Sequence, residues 1–334
     1  MVAREDFTRL TGPYRRELIA HCYRMTGSLD EAEDLVQETY LRAWRSFGRF
    51  EGRSSLRTWL YRIATNACLN ALEHGRRRVL PAGLPLDGLA AYGMPPGGHG
   101  DAAWLQPLPD RVAGLGSWSP ADPAEVAVTR QSVRLALVAA LQYLPPRHRA
   151  VLILRDVLGW RAAEVAGLLG TTTAAVNNVL RRARARLAEA GPDPDAIREP
   201  AEPGLAAQYA AAFRDADIDA LMRLLTSDAV LEMPPLAAWF RGPAAIGRFL
   251  SDRVLTGPGV MRLVPAAANG QPGFPCYLRH GDGGYRAHAV QVLEPRAAGL
   301  GRITIFLDPA LFASFGLPSV LAPDLAPDLD LVPA

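Results

Sequence analysis

Residues 173–190, TAAVNNVLRRARARLAEA, carry the densest chemistry in the chain. Arg181, Arg182, Arg184 and Arg186 fall within six residues, and no acid follows until Glu189. At helical spacing Val176, Val179, Leu180 and Leu187 turn inward, and Thr173, Ala174, Asn177, Asn178 and the arginines turn outward. A guanidinium forks onto a phosphate or a guanine edge, and an Asn amide suits an adenine edge. A merely solvated helix face normally mixes charge signs, and this one does not, so it reads as a nucleic-acid-binding surface. Two further faces stand out. On residues 56–73 Arg57, Thr58, Arg62, Asn66 and Asn70 project away from an apolar stripe, with Trp59 and Tyr61 nearby. On residues 30–47 Glu31, Asp34, Glu38, Arg42 and Arg45 share one side, which by itself reads as a solvated face.

The elements that must position these faces are legible in periodicity and punctuation. Pro13 opens a helix with Leu18, Ile19, Cys22 and Met25 on one face, and Gly27 ends it. Ser28-Leu-Asp-Glu31 predicts a capping box for a helix buried through Ala32, Leu35, Val36, Thr39, Ala43 and Phe47. After a Gly/Ser loop the third helix is expected to bury Leu56, Leu60, Ile63, Ala67 and Ala71, with Trp59 in the core. Later, a helix ends near Leu144, Pro145-Pro146 begins another, and RAAEVAGLLG (161–170) is short and Gly-terminated. Thr171-Thr172-Thr173 then turns and caps the arginine-bearing helix, with Ala163, Val165 and Leu168 joining its core. Short helix, tight turn and second helix form a helix-turn-helix pattern.

Composition bounds the rest. The 334 residues suffice for two or three domains, and 49% hydrophobic with 21% charged residues is ordinary for a globular chain. Net charge is only +2, so basicity is local rather than global. All 36 basic residues are Arg, which a GC-rich genome explains. No run reaches the ~18 apolar residues of a membrane span, and the charged N-terminus has no signal-like apolar core. Cys22, Cys68 and Cys276 are scattered, so neither a zinc site nor a disulfide framework is expected, which suits a reducing, cytoplasmic setting. Composition shifts divide the chain into a helical part (1–78), a Gly/Pro-rich linker (79–122), a second helical part (123–190), a short linker (191–204), a mixed helix–strand part (205–316) and a tail (317–334) that is Pro-rich, apolar and acidic. Strands are expected at 228–233, 260–267, 274–280, 284–293 and 302–307, with a hairpin at Gly281–Gly284.

DEAEDLVQETYLRAWRSFGRFEGRSSLRTWLYRIATNACLNAL (30–72) resembles region two of bacterial extracytoplasmic-function (ECF) sigma factors, and LPPRHRAVLILRDVLGWRAAEVAGLLGTTTAAVNNVLRRARARL (144–187) resembles their region four. The segment from 205 (LAAQYAAAFRDADIDALMRLLTSDAVLEMPP, WFRGPAAIGRFL, then ANGQPGFPCYLRHGDGGYRAHAVQVLE) is similar to SnoaL-like domains of the ketosteroid-isomerase and nuclear-transport-factor superfamily. The resemblance implies a multidomain fold: two all-α domains, sigma region two and a helix-turn-helix region four, plus a C-terminal α+β cone. It implies a promoter-specificity subunit without cofactor, metal or catalytic role, whose partners are core RNA polymerase, through the β′ clamp and β flap, and promoter DNA. Asp34, Gln37 and Glu38 would meet the β′ clamp helices. Arg53, Arg57, Arg62, Asn66 and Asn70 would open and hold the minus-ten element. Thr173, Asn177, Asn178, Arg181, Arg182, Arg184 and Arg186 would read the minus-thirty-five element. In the last domain Met233, Trp239, Phe274, Tyr277, His288, Phe306 and Asp308 would line a pocket for a small ligand, and the domain would regulate the others in cis. Relatives of that superfamily that are enzymes use an Asp or His base, so Asp308, His288, Glu232, Tyr277 and Tyr285 keep an alternative open: an isomerase, cyclase or hydrolase fused to a DNA-binding module.

Overall fold

The computed structural model describes residues 2–52, 54, 55, 56–73, 75, 77–83, 103–115, 130–190 and 204–321. The chain forms two compact units, residues 1–78 with 112–191, and residues 79–111 with 192–334.

In the first unit α1 (Val2–Thr11), α2 (Arg15–Thr26), α3 (Leu29–Ser46) and α4 (Leu56–Leu72) pack together. Gly27 takes the left-handed conformation (φ 74°) that closes α2. Ser28 Oγ accepts the Glu31 N–H at 3.2 Å, as the capping box requires. The reciprocal half is absent, because the Glu31 carboxylate instead accepts from Arg78 Nη2 at 2.6 Å. Ser55 caps α4 by accepting from the Thr58 N–H. The buried stripe of α4 is rotated from the expected one: Leu60, Tyr61, Ala64, Thr65, Ala67 and Cys68 are inside, Leu56 and Ile63 half-buried, Ala71 exposed. Tyr61 turns inward because its hydroxyl finds the Glu17 carboxylate at 3.0 Å, so the ring is buried without stranding the oxygen. Trp59 is half-buried, its ring 4.9 Å from that of Phe50.

The same unit contains α5 (Leu135–Leu141), α6 (Pro146–Leu152), continued by a π-type turn Ile153–Val157, α7 (Ala162–Leu169) and α8 (Thr173–Ala190). Val165, Leu168, Val176, Leu180 and Ala183 form the buried seam of α7 and α8, whereas Ala163, expected inside, is exposed. Alanine has too little surface to fix which way a short helix turns, and the larger Val165 and Leu168 decide it.

The second unit is an α+β body. Helices α9 (Leu205–Arg214), α10 (Ile218–Arg223) and α11 (Pro243–Phe249) belong with a mixed sheet. Its strands are β3 (Leu225–Glu232), β4 (Trp239–Arg241), β5 (Met261–Leu263), β6 (Ala266–Ala268), β7 (Gln271–Arg279), β8 (Tyr285–Arg296), β9 (Gly299–Phe306) and β10 (Val320–Leu321). The order along the sheet is β4-β3-β9-β8-β7-β5, with β6 on β7 and β10 on β8; only β3 and β9 run parallel. The expected hairpin at Gly281–Gly284 joins β7 to β8. The expected strand 260–267 is split in two as β5 and β6, and β4 was not expected. One face of the sheet closes over α9 to α11 around Tyr209, Phe213, Leu231, Ile246, Phe274, Leu293 and Ile303.

The ends of the expected linker are built into this unit. β1 (Arg78–Val79) pairs with β2 (Ala103–Trp104). The Ala82 N–H donates to Glu232 Oε2 at 3.0 Å. Leu108 and Asn269 exchange two bonds: Leu108 N–H to Asn269 Oδ1 at 2.9 Å, and Asn269 N–H to Leu108 O at 2.8 Å. Gly270 N–H donates to Asp110 Oδ1 at 2.8 Å, and Arg111 Nε to Ser314 O at 2.8 Å. Leu105 and Leu108 are fully buried, worth about 1.5–3 kcal/mol each. Gly/Pro composition without periodicity reads as a linker or a long irregular connection, and backbone bonds and two leucines are enough to dock the ends of it.

Candidate nucleic-acid interface

Helix α8 is set by its turn. Gly170 is left-handed at φ 61° and ends α7, and Thr172 Oγ1 caps α8 by accepting from the Ala175 N–H at 3.2 Å. The helix lies along α6 and against α7, which fixes the outward side. Thr173, Asn177, Asn178, Arg181, Arg182, Arg184 and Arg186 are all exposed. Among the described residues Arg181, Arg182 and Arg186 have no ion pair; Arg181 reaches only Asn178 Oδ1, at 3.5 Å. Arg184 differs: it forks onto Asp156, Nε to Oδ2 at 2.9 Å and Nη2 to Oδ1 at 2.7 Å. That hydrogen bonding, with the Asp156 charge, raises its pKa. His148 is pushed the other way, by burial first and then by the Arg186 and Arg182 charges. The face therefore projects three uncompensated guanidinium groups and two carboxamides.

On α4, Arg62, Asn66 and Asn70 are exposed and share one side, while Arg57, also exposed, points well away from that row. Arg57 is engaged, its Nε on Glu17 Oε2 at 2.7 Å and its guanidinium 5.1 Å from the Tyr61 ring centre. Arg53 lies outside the described residues. On α3, Asp34 and Gln37 are exposed, and Glu38 is half-buried and paired with Arg42 at 2.6 Å.

Residues 10–78 match the family model Sigma-70 region 2, and residues 134–187 match Sigma-70, region 4. The ECF RNA polymerase sigma factor SigG of Mycobacterium tuberculosis is 49% identical over 330 residues, 95% of this chain and 85% of that one. The chain belongs to the ECF sigma factors. The M. tuberculosis sigma factor SigJ is also similar, at 30% identity over 83% of each chain. The crystal structure of SigJ matches with a TM-score of 0.57 and 25% identity, covering 92% of this chain and 98% of that one. As a sigma factor the protein is a transcription initiation factor, not an enzyme; it binds core RNA polymerase and directs it to promoter DNA by minus-ten and minus-thirty-five elements.

Other features of this ECF factor were not legible beforehand. Leu41 and Trp44 on α3 are 52% and 41% exposed and continue the row of Asp34 and Gln37 at helical spacing. Their offset from the buried stripe was the available signal. The C-terminal pocket residues do not converge. Met233 and Phe274 belong to the packed interior of the cone. Tyr277 stacks edge-on to Phe312 and donates its hydroxyl to Pro318 O at 2.8 Å, on the other side of the sheet. Phe306 alternates with the interior Ile305 and lies on that second side too. Trp239 is half-buried, beside Arg241. His288 is the extra residue of a bulge, where Cys276 pairs with Ala289 and Tyr277 with Ala287. Burial alone lowers its pKa. Asp308 uses its carboxylate to accept the Ala310 N–H at 2.9 Å. No group of three or more His, Cys, Asp or Glu is placed to hold a metal among the described residues, and none of their helices is long and apolar enough to cross a membrane.

Proposed function

We propose that α8 reads the minus-thirty-five element through Asn177, Asn178, Arg181, Arg182 and Arg186 with Thr173 at the helix start, and that α4 holds the minus-ten element through Arg62, Asn66 and Asn70, joined by Arg53. The observation that carries this is the uncompensated basic face of α8 at the exposed side of a capped helix-turn-helix. Arg184 and Arg57 contribute less to DNA contact, because their charges are already partnered by Asp156 and Glu17. In a full-length Arg181→Ala/Arg182→Ala variant, a residue on a base edge costs about 1–3 kcal/mol and relaxes specificity, whereas one on phosphate weakens all sequences and lowers the salt slope by about 1. Fluorescence anisotropy against minus-thirty-five duplexes over a salt series separates the two. Unchanged affinity at every salt concentration rejects the assignment.

Asp34, Gln37 and Glu38, extended by Leu41 and Trp44, form the surface for the polymerase β′ clamp, and region four docks on the β flap. An acidic row flanked by exposed apolar side chains fits a basic partner with an apolar centre. Charge reversal at Asp34 and Glu38 should lower core affinity at least tenfold in a pull-down with purified core. The fold should survive, because the Glu38–Arg42 pair that is lost is a surface i,i+4 pair worth only about 0.3–0.5 kcal/mol. Normal core affinity in a natively folded variant would show that the face is only solvated.

The C-terminal unit regulates in cis, in the cytoplasm, through the segment between regions two and four that it holds at Val79–Gly83 and Ala103–Arg111. Restraining that segment biases which arrangements of the two regions are accessible. The enzyme reading is disfavoured by the dispersal of Asp308, His288 and Tyr277 over separate places on the sheet.

A further inference from the structure

Helix α6 packs on α2, on α4, on the π-type turn that follows it and most closely on α8. His148 is half-buried on the α8 side of α6. Its neighbours point elsewhere. Arg147 is exposed, and Arg149 is buried, held by the Met25, Gln142 and Leu144 carbonyls. On α8, Arg182 and Arg186 stand one turn apart and form one ridge, which borders the buried seam at Ala183. Both guanidinium charges act on His148, and among the described residues they are the only charges that do. The charged groups of the other packed elements are engaged elsewhere. Arg24 of α2 donates to Ser132 Oγ at 3.0 Å, and His21 meets Thr65. Cys68 of α4 lies by Arg149. In the turn, Arg155 donates to the Trp160 carbonyl and Asp156 holds Arg184. The imidazole itself has no hydrogen bond among the described residues: Nδ1 is buried without a partner, and Nε2 is left open to solvent. A histidine kept for packing normally satisfies its buried nitrogen.

We propose that His148, Arg182 and Arg186 form a three-point site for one backbone phosphate of DNA, and that the imidazole takes up a proton from water as the phosphate docks. In the free chain two cations stand by a titratable ring with no acid acting on it. Burial first, and then the Arg186 and Arg182 charges, hold the His148 pKa below its ordinary 6.5. A phosphodiester carries one negative charge, and the two guanidinium groups attract it. Once docked it cancels the repulsion that keeps the ring neutral, and it accepts from Nε2–H, so the charged ring becomes the favoured form. The complex then binds more protons than the separate partners. Affinity is flat with pH well above the bound pKa, rises as pH falls through it, and levels off below the free pKa. Between the two the gain approaches about tenfold per pH unit. A phosphate occurs at every step of a duplex, so this contact sets how α8 sits in the groove rather than which bases it reads. It lies on the helix before the helix-turn-helix, where the outward arginine pattern of α8 gives no sign of it.

The inference rests on α8 being a reading helix, and the experiment separates the two ideas. The full chain with isotope-labelled histidine is titrated by NMR, alone and with a short duplex of mixed sequence. The His148 signal is the one missing from His148→Gln. Its midpoint should lie below 6.5 in the free chain and move up by about one pH unit or more with duplex bound. In Arg186→Ala the free-chain midpoint should move up without DNA, because one of the two opposing charges is gone. Anisotropy with the same duplex gives a second reading. From about pH 8 to about pH 6, above the carboxylate range, the parent should bind several-fold more tightly and with a steeper salt dependence. His148→Gln, natively folded by circular dichroism, should show neither change. A His148 midpoint that stays put on binding overturns the site, as does a His148→Gln profile that runs parallel to the parent. Unchanged affinity in Arg181→Ala/Arg182→Ala at every salt concentration removes the reading helix and the site with it. Reduced affinity there, with an unmoved His148 midpoint in the parent, overturns the phosphate site alone.

Discussion

Glu232→Ala should cost the C-terminal unit about 3–5 kcal/mol and loosen the segment between regions two and four. The Glu232 side chain is fully buried. Its Oε1 accepts from Arg302 Nη1 at 2.8 Å and from Thr304 Oγ1 at 3.1 Å, and its Oε2 accepts from the Ala82 N–H. Burial works against the Arg302 charge, but Glu232 and Glu294 outweigh it and hold its pKa above the ordinary value. Removing Glu232 leaves Arg302 with Glu294, whose nearest oxygen is 3.8 Å away and which also serves Arg296 at 3.0 Å. Breaking the pair leaves the largely buried Arg302 charge with only the longer Glu294 contact and strands the Thr304 hydroxyl and Ala82 N–H, and together these account for the size of the loss. The chain has two compact units, so a single unfolding midpoint is ill-defined, and hydrogen exchange is the cleaner measure. The Ala82 amide should lose protection in Glu232→Ala, and Gln271–Phe306 should exchange faster. Glu232→Gln, which keeps the shape and an acceptor for Ala82, should retain more of the Ala82 protection than of the stability. If the C-terminal unit acts through this segment, run-off should change several-fold in both variants while core affinity holds. Transcription equal to the parent, with the Ala82 amide demonstrably released, rejects cis regulation by this route.

The two docked ends explain why the sequence misleads here. Helix caps are local: Ser28 and Thr172 act on N–H groups three residues away, and Gly27 and Gly170 need only their own φ, so periodicity and punctuation suffice to place the helices. The helix-turn-helix and its outward arginines follow from the same short-range rules. Long-range pairing does not. Arg184 is drawn to Asp156, 28 residues away, and its sequence neighbours give no hint that it differs from Arg182. Ala82 and Leu108 are held through backbone atoms by partners 150 and 161 residues distant, and backbone atoms carry no side-chain signature. Tyr61 was legible as an aromatic near the α4 stripe but not as part of it, because its burial depends on Glu17, 44 residues earlier. In the cone, residues that look alike by hydropathy lie on opposite faces of the sheet, and the bulge at His288 breaks the alternation that would have sorted them.

His21 should make the stability of the first unit fall with acid from about pH 6.5 downward. The ring is completely buried between α2 and α4, its Nε2 3.0 Å from Thr65 Oγ1 and its face edge-on to Tyr61 at 5.1 Å. Nδ1 has no hydrogen-bond partner among the described residues. Burial first, and then the Arg24 charge, push its pKa down from 6.5 to about 3. The folded state therefore binds its proton later than the unfolded state does. The favourable neutral form is fully counted above pH 6.5, and the advantage drains away as pH falls toward 3, because the unfolded chain takes up the proton first. Linkage puts the loss at about 1.4 kcal/mol at pH 5.5 and about 2.7 kcal/mol at pH 4.5, relative to neutral pH. Carboxylates elsewhere titrate at the lower end of this window, so the informative quantity is the difference between parent and His21→Gln. Gln keeps a group able to reach Thr65 but has no proton to gain, so its profile between pH 6.5 and 5 should be nearly flat where the parent slopes. Hydrogen exchange of the α2 and α4 amides across that range reads the slope for this unit alone. Parallel profiles would place the acid sensitivity at some other group.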